Sequence, residues 1–346
     1  MMLTRFAVCV GVVLTLGLAS CGGDDDGGGD SGTDTSTKTQ TAQSSEGQGG
    51  TVKIAVSVPA ADHGWLKAVS DDAKKAADDL GDQVEFTMND SATSSAEQAD
   101  QIETLINGKP DAIAILPFEG GALTPVAQKA TAAGIPVINI DREFSTPGAY
   151  RTWIGGDNYG IGWQAGNYFA DELKCQGNVV EIQGLAGISV TEDRSKGFAD
   201  AIKQRCQDGI KVVARQPADF APDKGLSVME NILEAQKQID GVYTHDDDMA
   251  EGVVAAIENA GREGDMFLTG AGGSKAAMDQ IEAGGLYRAT FLYNPTMAAS
   301  AVNLANLIAR GEPMKDLTEP EVPSRIQVPA TTVTKENVAD HKDLAY

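Results

Sequence analysis

The chain has 346 residues, with 27 Lys+Arg against 50 Asp+Glu and a formal net charge of −23, a balance that repels a polyphosphate backbone and so excludes nucleic acid as a partner. Hydrophobic residues make up 42% and charged ones 22%, enough apolar material for one large or two medium domains. The four cysteines show no paired C-x-x-C spacing and His63, His245 and His341 are scattered, which leaves a zinc cluster with little support.

Residues 1–20 pass from a short head containing Arg5, through an apolar stretch over 6–18, to small residues before Cys21. Such a segment is too short to span a bilayer comfortably and has the form of a secretory signal. Its end, Leu18-Ala19-Ser20-Cys21, resembles the lipobox of bacterial lipoproteins, which implies that Cys21 becomes a lipidated mature N-terminus; the alternative is an ordinary signal with a chance cysteine. Residues 22–50 are Gly, Asp, Ser, Thr and Gln without apolar periodicity, a composition that buries no core and acts as a flexible tether. In an oxidising compartment Cys175 and Cys206 are the remaining thiols, near the ends of two predicted helices. A disulfide between them is expected, with two buried free thiols as the alternative.

From Thr51 onward, runs rich in Val and Ile alternate with Ala-rich amphipathic segments, the pattern of parallel βαβ units. Strands are predicted over 52–57, 84–88, 112–116, 136–140, 152–154, 178–182, 211–215, 241–244, 266–269 and 289–292. Helices are predicted over 64–80, 96–107, 123–133, 161–173, 194–204, 225–235, 249–260 and 274–283. So many strands exceed one core of this size, so the expected fold is α/β with two doubly wound parallel-sheet lobes and a crossover near Gly155-Gly156-Asp157. A helix over 297–309 and a last strand over 325–334 must pack back onto what precedes them. The expected division is 51–156 plus 294–322 for the first lobe and 157–293 plus 323–346 for the second, with several connections forming a hinge.

In open α/β sheets ligands bind beyond the carboxyl ends of the strands, where helix N-termini converge. The residues at those positions include carboxylates, arginine, amides and aromatics. This composition suits a neutral polyhydroxylated ligand, since carboxylate and guanidinium groups hold hydroxyls and an aromatic face covers the C–H side of a sugar. Each Asp or Asn taken singly is more often a helix cap.

On the stretches 135–142 (IPVINIDR), 181–189 (EIQGLAGIS), 194–198 (RSKGF), 216–220 (QPADF) and 246–250 (DDDMA), the chain resembles the type I periplasmic sugar-binding proteins of ABC importers, in their ribose-binding-like branch. The resemblance covers about 290 residues. It implies that Asp141, Arg142 and Arg194 hold ring hydroxyls, that Phe220 stacks on the sugar, that Asp246 contacts a hydroxyl, and that Trp65 is the first-loop aromatic. The chain departs at Ala271-Gly272-Gly273, where the family has an Asp, at Tyr293, where it has a Gln, and in the loop 59–64; these departures point away from ribose to another monosaccharide or a related polyol. The candidate ligand-binding set is Ser57, Asp62, His63, Trp65, Asp141, Arg142, Arg194, Phe220, Asp246, Gly272 and Tyr293.

Two motifs compete with this reading. Gly160-Ile161-Gly162-Trp163-Gln164-Ala165 fits G-x-G-x-x-A, yet the acid about twenty residues on, Glu181, falls inside a strand, so close helix packing explains the glycines better than a dinucleotide does. His245-Asp246-Asp247-Asp248 cannot all ligate one ion from consecutive positions. No catalytic residue, metal or cofactor is assigned, and the expected partners are a sugar or polyol, a membrane permease and, through the lipid alone, the membrane, with the protein a monomer. A receptor for an autoinducer-like signal and a carbohydrate-active enzyme remain as alternatives.

Overall fold

In the computed structural model, residues 50–317 and 319–346 are described; the signal segment, Cys21 and all of the tether but Gly50 lie outside the described residues. The β-branched runs build two six-stranded sheets. The first contains β1 (Val52–Pro59), β2 (Val84–Ala92), β3 (Ala112–Ile115), β4 (Val137–Ile140), β5 (Thr152–Gly156) and β11 (Arg325–Val328) in the order β11-β5-β4-β3-β1-β2, all parallel. The second contains β6 (Gly177–Gln183), β7 (Ile210–Pro217), β8 (Gly241–Thr244), β9 (Phe267–Gly272), β10 (Tyr287–Leu292) and β12 (Thr332–Thr334) in the order β12-β10-β9-β8-β6-β7, with β12 alone antiparallel.

Central strands such as β3 and β4 are buried on both faces, as parallel strands between helix layers must be. The helices are α1 (Gly64–Leu80), α2 (Ser95–Asn107), α3 (Gly120–Ala132), α4 (Asn158–Glu172), α5 (Ser189–Cys206), α6 (Pro222–Ala235), α7 (Asp247–Asn259), α8 (Lys275–Ala283) and α9 (Met297–Arg310). On α1 the buried positions Trp65, Leu66, Val69, Ala73, Ala76 and Ala77 recur at helical spacing and face the core. Side-chain caps start four of the helices: Ser94, Asp157, Asp246 and Ser274 each accept a first-turn N–H. No helix among the described residues is long and apolar enough to cross a membrane.

The glycines of the 160–165 motif serve packing. A Cβ at Gly162 would stand 2.0 Å from the Arg194 carbonyl, and one at Gly197 would stand 2.1 Å from that of Tyr159, so α4 and α5 meet backbone to backbone. A disulfide between Cys175 and Cys206 ties the far ends of the same two helices, with Cα atoms 4.9 Å apart.

The expectation that 323–346 belongs wholly to the second lobe, with one strand over 325–334, is corrected. Arg325–Val328 pairs with β5 of the first sheet, and Thr332–Thr334 pairs with β10 of the second. Pro329 stands between them; lacking an N–H it ends the first ladder, and the chain crosses there. The chain therefore passes between lobes after Gly156, after Leu292 and after Val328.

Candidate functional site

The strand order reverses between β1 and β3 in the first lobe and between β6 and β8 in the second, and the strand ends around these switch points open a crevice. The loop after β1 supplies His63, the first turn of α1 supplies Trp65, the turn after β4 supplies Asp141 and Arg142, α5 supplies Arg194, the turn after β8 supplies Asp246, and the end of β9 and the residue after β10 supply Gly272 and Tyr293. These residues, with Phe220, Val190 and Ala271, line one cavity with about 330 Å³ of empty space, including that open at its mouth.

Nine of the eleven sequence candidates thus face the same cavity. Ser57 does not: its hydroxyl is buried below the cleft and accepts from Gln98 Nε2 at 3.1 Å, holding α2 to β1. Asp62 is also outside, with its side chain 63% exposed, and acts through His63, whose Nδ1 lies 2.5 Å from its carboxylate. Val190 carries no polar side-chain group and gave no signal in the sequence; Ala271, equally apolar, was met only in the departure at 271–273. Asn158 and Asp248 stand at strand ends that the sequence places at the cleft, though outside the candidate set, and take partners across the fold: Asn158 Oδ1 accepts from Arg194 Nε at 2.9 Å, and Asp248 Oδ2 accepts from the Trp65 backbone N–H at 2.9 Å.

The polar groups are held by the chain on one side and free on the other. Asp141 has φ 59°, a left-handed conformation that Asp tolerates better than most residues. Its backbone carbonyl accepts from Trp153 Nε1 at 2.9 Å and its Oδ1 accepts from the Tyr293 hydroxyl. Arg142 donates through Nη1 to the Phe118 carbonyl at 2.7 Å. Arg194 donates through Nη1 to the His245 carbonyl and lies over the Tyr293 ring, 4.6 Å from its centre. Phe220, also left-handed at φ 64°, stacks on His63 at 5.9 Å.

Beneath this layer Glu181, wholly buried, accepts from Ser195 Oγ at 2.5 Å and Arg215 Nε at 2.6 Å and lies 3.1 Å from His245 Nε2. Burial pushes His245 down, outweighing the Glu181 carboxylate, so the imidazole is neutral and supports the turn that carries Asp246.

The charges of the cleft shift one another. Burial and repulsion from Asp248 push Asp246 up to about 7, against the pull of the His63 charge and the Met249 N–H. Burial also raises Asp141, opposed by Arg142 and by the Tyr293 hydrogen bond. For His63 burial works downward, but the Asp62 hydrogen bond and the charges of Asp246 and Asp248 prevail and raise it. His63, Asp246 and Asp248 each offer one atom within 4.8 Å of the others, yet these groups already serve the chain: Asp248 holds Trp65, Asp246 caps α7, and His63 supplies the cationic partner of both.

A family model described as "Periplasmic binding protein domain" matches residues 54–313. The ribose import binding protein RbsB of Bacillus subtilis (strain 168) is 33% identical over 69% of this chain and 75% of its own length. The xylitol-binding protein of Mycolicibacterium smegmatis is 32% identical over 74% of this chain and 70% of its own. Among solved structures, an ABC transporter solute binding protein from Bacillus halodurans C-125 with bound myo-inositol superposes with TM-score 0.78 at 27% identity, covering 86% of this chain and 99% of that one.

Proposed function

The chain belongs to the periplasmic binding protein family, among the sugar-binding receptors of ABC transporters, and from that premise we propose that it captures a neutral monosaccharide or polyol between its lobes and presents it to a membrane permease. The observation that carries this reading is the meeting of Asp141 and Arg142 from the first lobe with Arg194 and Asp246 from the second around one cavity. Each is anchored by the chain, Arg194 through both Nε and Nη1, and keeps a terminal atom with no hydrogen bond among the described residues. Carboxylate oxygens accept from ligand hydroxyls, guanidinium amino groups donate to them, and Trp65 and Phe220 cover the C–H faces. A ligand touching both lobes favours the closed form over the open one, and the permease reads that form. Cys21 carries the lipid that holds the monomeric receptor at the envelope surface.

Titration calorimetry against pentoses, hexoses, inositols and open-chain polyols tests the reading. Arg142→Ala and Asp246→Ala should each weaken the tightest ligand by about tenfold or more, the value of a lost charge-assisted hydrogen bond. Affinities within twofold of wild type in both variants would remove the cleft assignment. Mass spectrometry of the N-terminal peptide reads the lipid: Cys21 diacylated in the native protein, and protein released from the membrane in Cys21→Ala.

A further inference from the structure

Helix α1 of the first lobe begins without a cap of its own. His63 stands at its N-cap position and makes no side-chain bond to the first turn, and that turn carries no acidic residue, so its leading N–H groups must find partners elsewhere. Asp248, in the first turn of α7 in the second lobe, supplies one: its Oδ2 accepts from the Trp65 backbone N–H at 2.9 Å. The same carboxylate lies over Gly64, where a Cβ would stand 2.7 Å from Oδ1. Only a residue without a side chain leaves room for it there. The other N–H of Trp65, Nε1, donates at 2.8 Å to the carbonyl of Tyr293, the residue after β10 at one of the chain crossings. That bond belongs to the hinge, whereas the Asp248 bond joins helices of opposite lobes. Asp248 is not among the residues that line the cavity.

We propose that Asp248 is a positioning residue, a latch that caps α1 across the cleft when the lobes are together, with Gly64 the seat that admits it. This rests on the reading of the cleft as a ligand site whose lobes close. An open cleft parts α1 from α7, so the bond exists in the closed form alone and favours every closed complex by the same amount, whatever the ligand. A carboxylate set on helix N–H groups gains from the charge-assisted hydrogen bond and from the helix dipole; in the open form water takes its place. Asp248 therefore lengthens the life of the closed complex and takes no part in choosing the ligand. Gly64→Ala isolates this effect. Gly64 is not in the left-handed region, and the three atoms nearest its added Cβ all belong to the movable end of the Asp248 side chain. The substitution alters no charge, so fold and cavity are kept and the latch alone is displaced.

Calorimetry and stopped-flow binding on the purified protein, with ribose, xylitol, glucose, galactose and myo-inositol as probes, test the latch. Gly64→Ala and Asp248→Ala should each weaken every probe that binds the wild type by a common factor of about tenfold, the worth of one charge-assisted hydrogen bond. The loss should lie in faster dissociation at an unaltered association rate. Both changes together should cost no more than either alone, because they remove one interaction. Affinities within twofold of wild type in either variant overturn the proposal, as do losses that add in the double variant. A loss that differs among probes also overturns it, since Asp248 would then act on the ligand itself. Should Asp248→Ala not fold, the factor and the rates in Gly64→Ala decide. Unchanged binding in the variants leaves the receptor reading standing; a wild type silent toward every probe overturns both.

Discussion

At the scale of single residues, the cleft makes the unliganded protein sensitive to pH near neutrality. Asp246 keeps its proton to about pH 7 in the folded chain, against 3.8 for an ordinary aspartate, so between these limits the native state binds the extra proton and stability falls as pH rises. His63, raised above 6.5 by Asp62, Asp246 and Asp248 although burial works the other way, contributes stability that is complete below 6.5 and lost as pH climbs through its higher folded value. Both groups act in the same direction. The Asp246 gap corresponds to about 4 kcal/mol at most, less what the His63 charge returns. Asp246→Asn should therefore unfold at a higher temperature than wild type at pH 8, with the gap narrowing toward pH 5; parallel melting curves across that range would sink the assignment. Most of this layer was legible in the sequence, because chemistry at strand ends follows from the alternation of elements. Ser57 looked equivalent to its neighbours, but side chains alternate along a strand, and its hydroxyl met Gln98 beneath the cleft. Asp248 and Asn158 were legible as strand-end polar residues but not their partners, since nothing local encodes one more than a hundred positions away or across an interhelix seam.

Among the elements, α4 and α5 pack backbone to backbone, closed at one end by glycines and at the other by the disulfide. A bridge across a sequence separation of 31 lowers the entropy of the unfolded chain by an amount worth about 3 to 4 kcal/mol. Paired Cys175→Ser and Cys206→Ser substitutions should lower the melting temperature by several degrees while leaving ligand affinity nearly unchanged, because the bridge lies at the helix ends remote from Arg194. A melting temperature unmoved by the double substitution would show that packing alone holds this pair. Helix positions were readable from periodicity, and α1 spans the predicted 64–80. The start of α5 was not: it begins at Ser189, ahead of the predicted 194, because its first turn carries the cleft residue Val190 and the polar Thr191, Glu192 and Asp193, which break the apolar pattern. The split of 325–334 into two strands was missed for a related reason, since a β-branched run reads as one strand and only Pro329 marks the crossing.

At the scale of the whole molecule, three chain crossings and the cleft contacts couple the lobes, and a ligand held by both should stabilise them together. At about a thousand times its dissociation constant, a ligand adds roughly 4 kcal/mol, and the protein should melt in a single transition that moves upward as a whole. Two transitions, with one unmoved by ligand, would show lobes that unfold separately. X-ray scattering should record a smaller radius of gyration on saturation; an unchanged profile would mean that binding does not draw the lobes together.

The return of the chain through β11 and β12 also sets a schedule. Neither sheet has its full complement of strands until residues 325–334 have been made, and the first lobe also waits for α9 to cover β1, β3 and β4. Early strands thus cannot finish a stable lobe as they emerge at about 5–20 residues per second, since their last neighbours lie far along the chain and long-range pairing is slow. For a member of an exported family this delay has a use: a polypeptide that cannot lock into shape until its final segments are available stays pliable enough to be threaded through a membrane, and closes both lobes only once it has arrived.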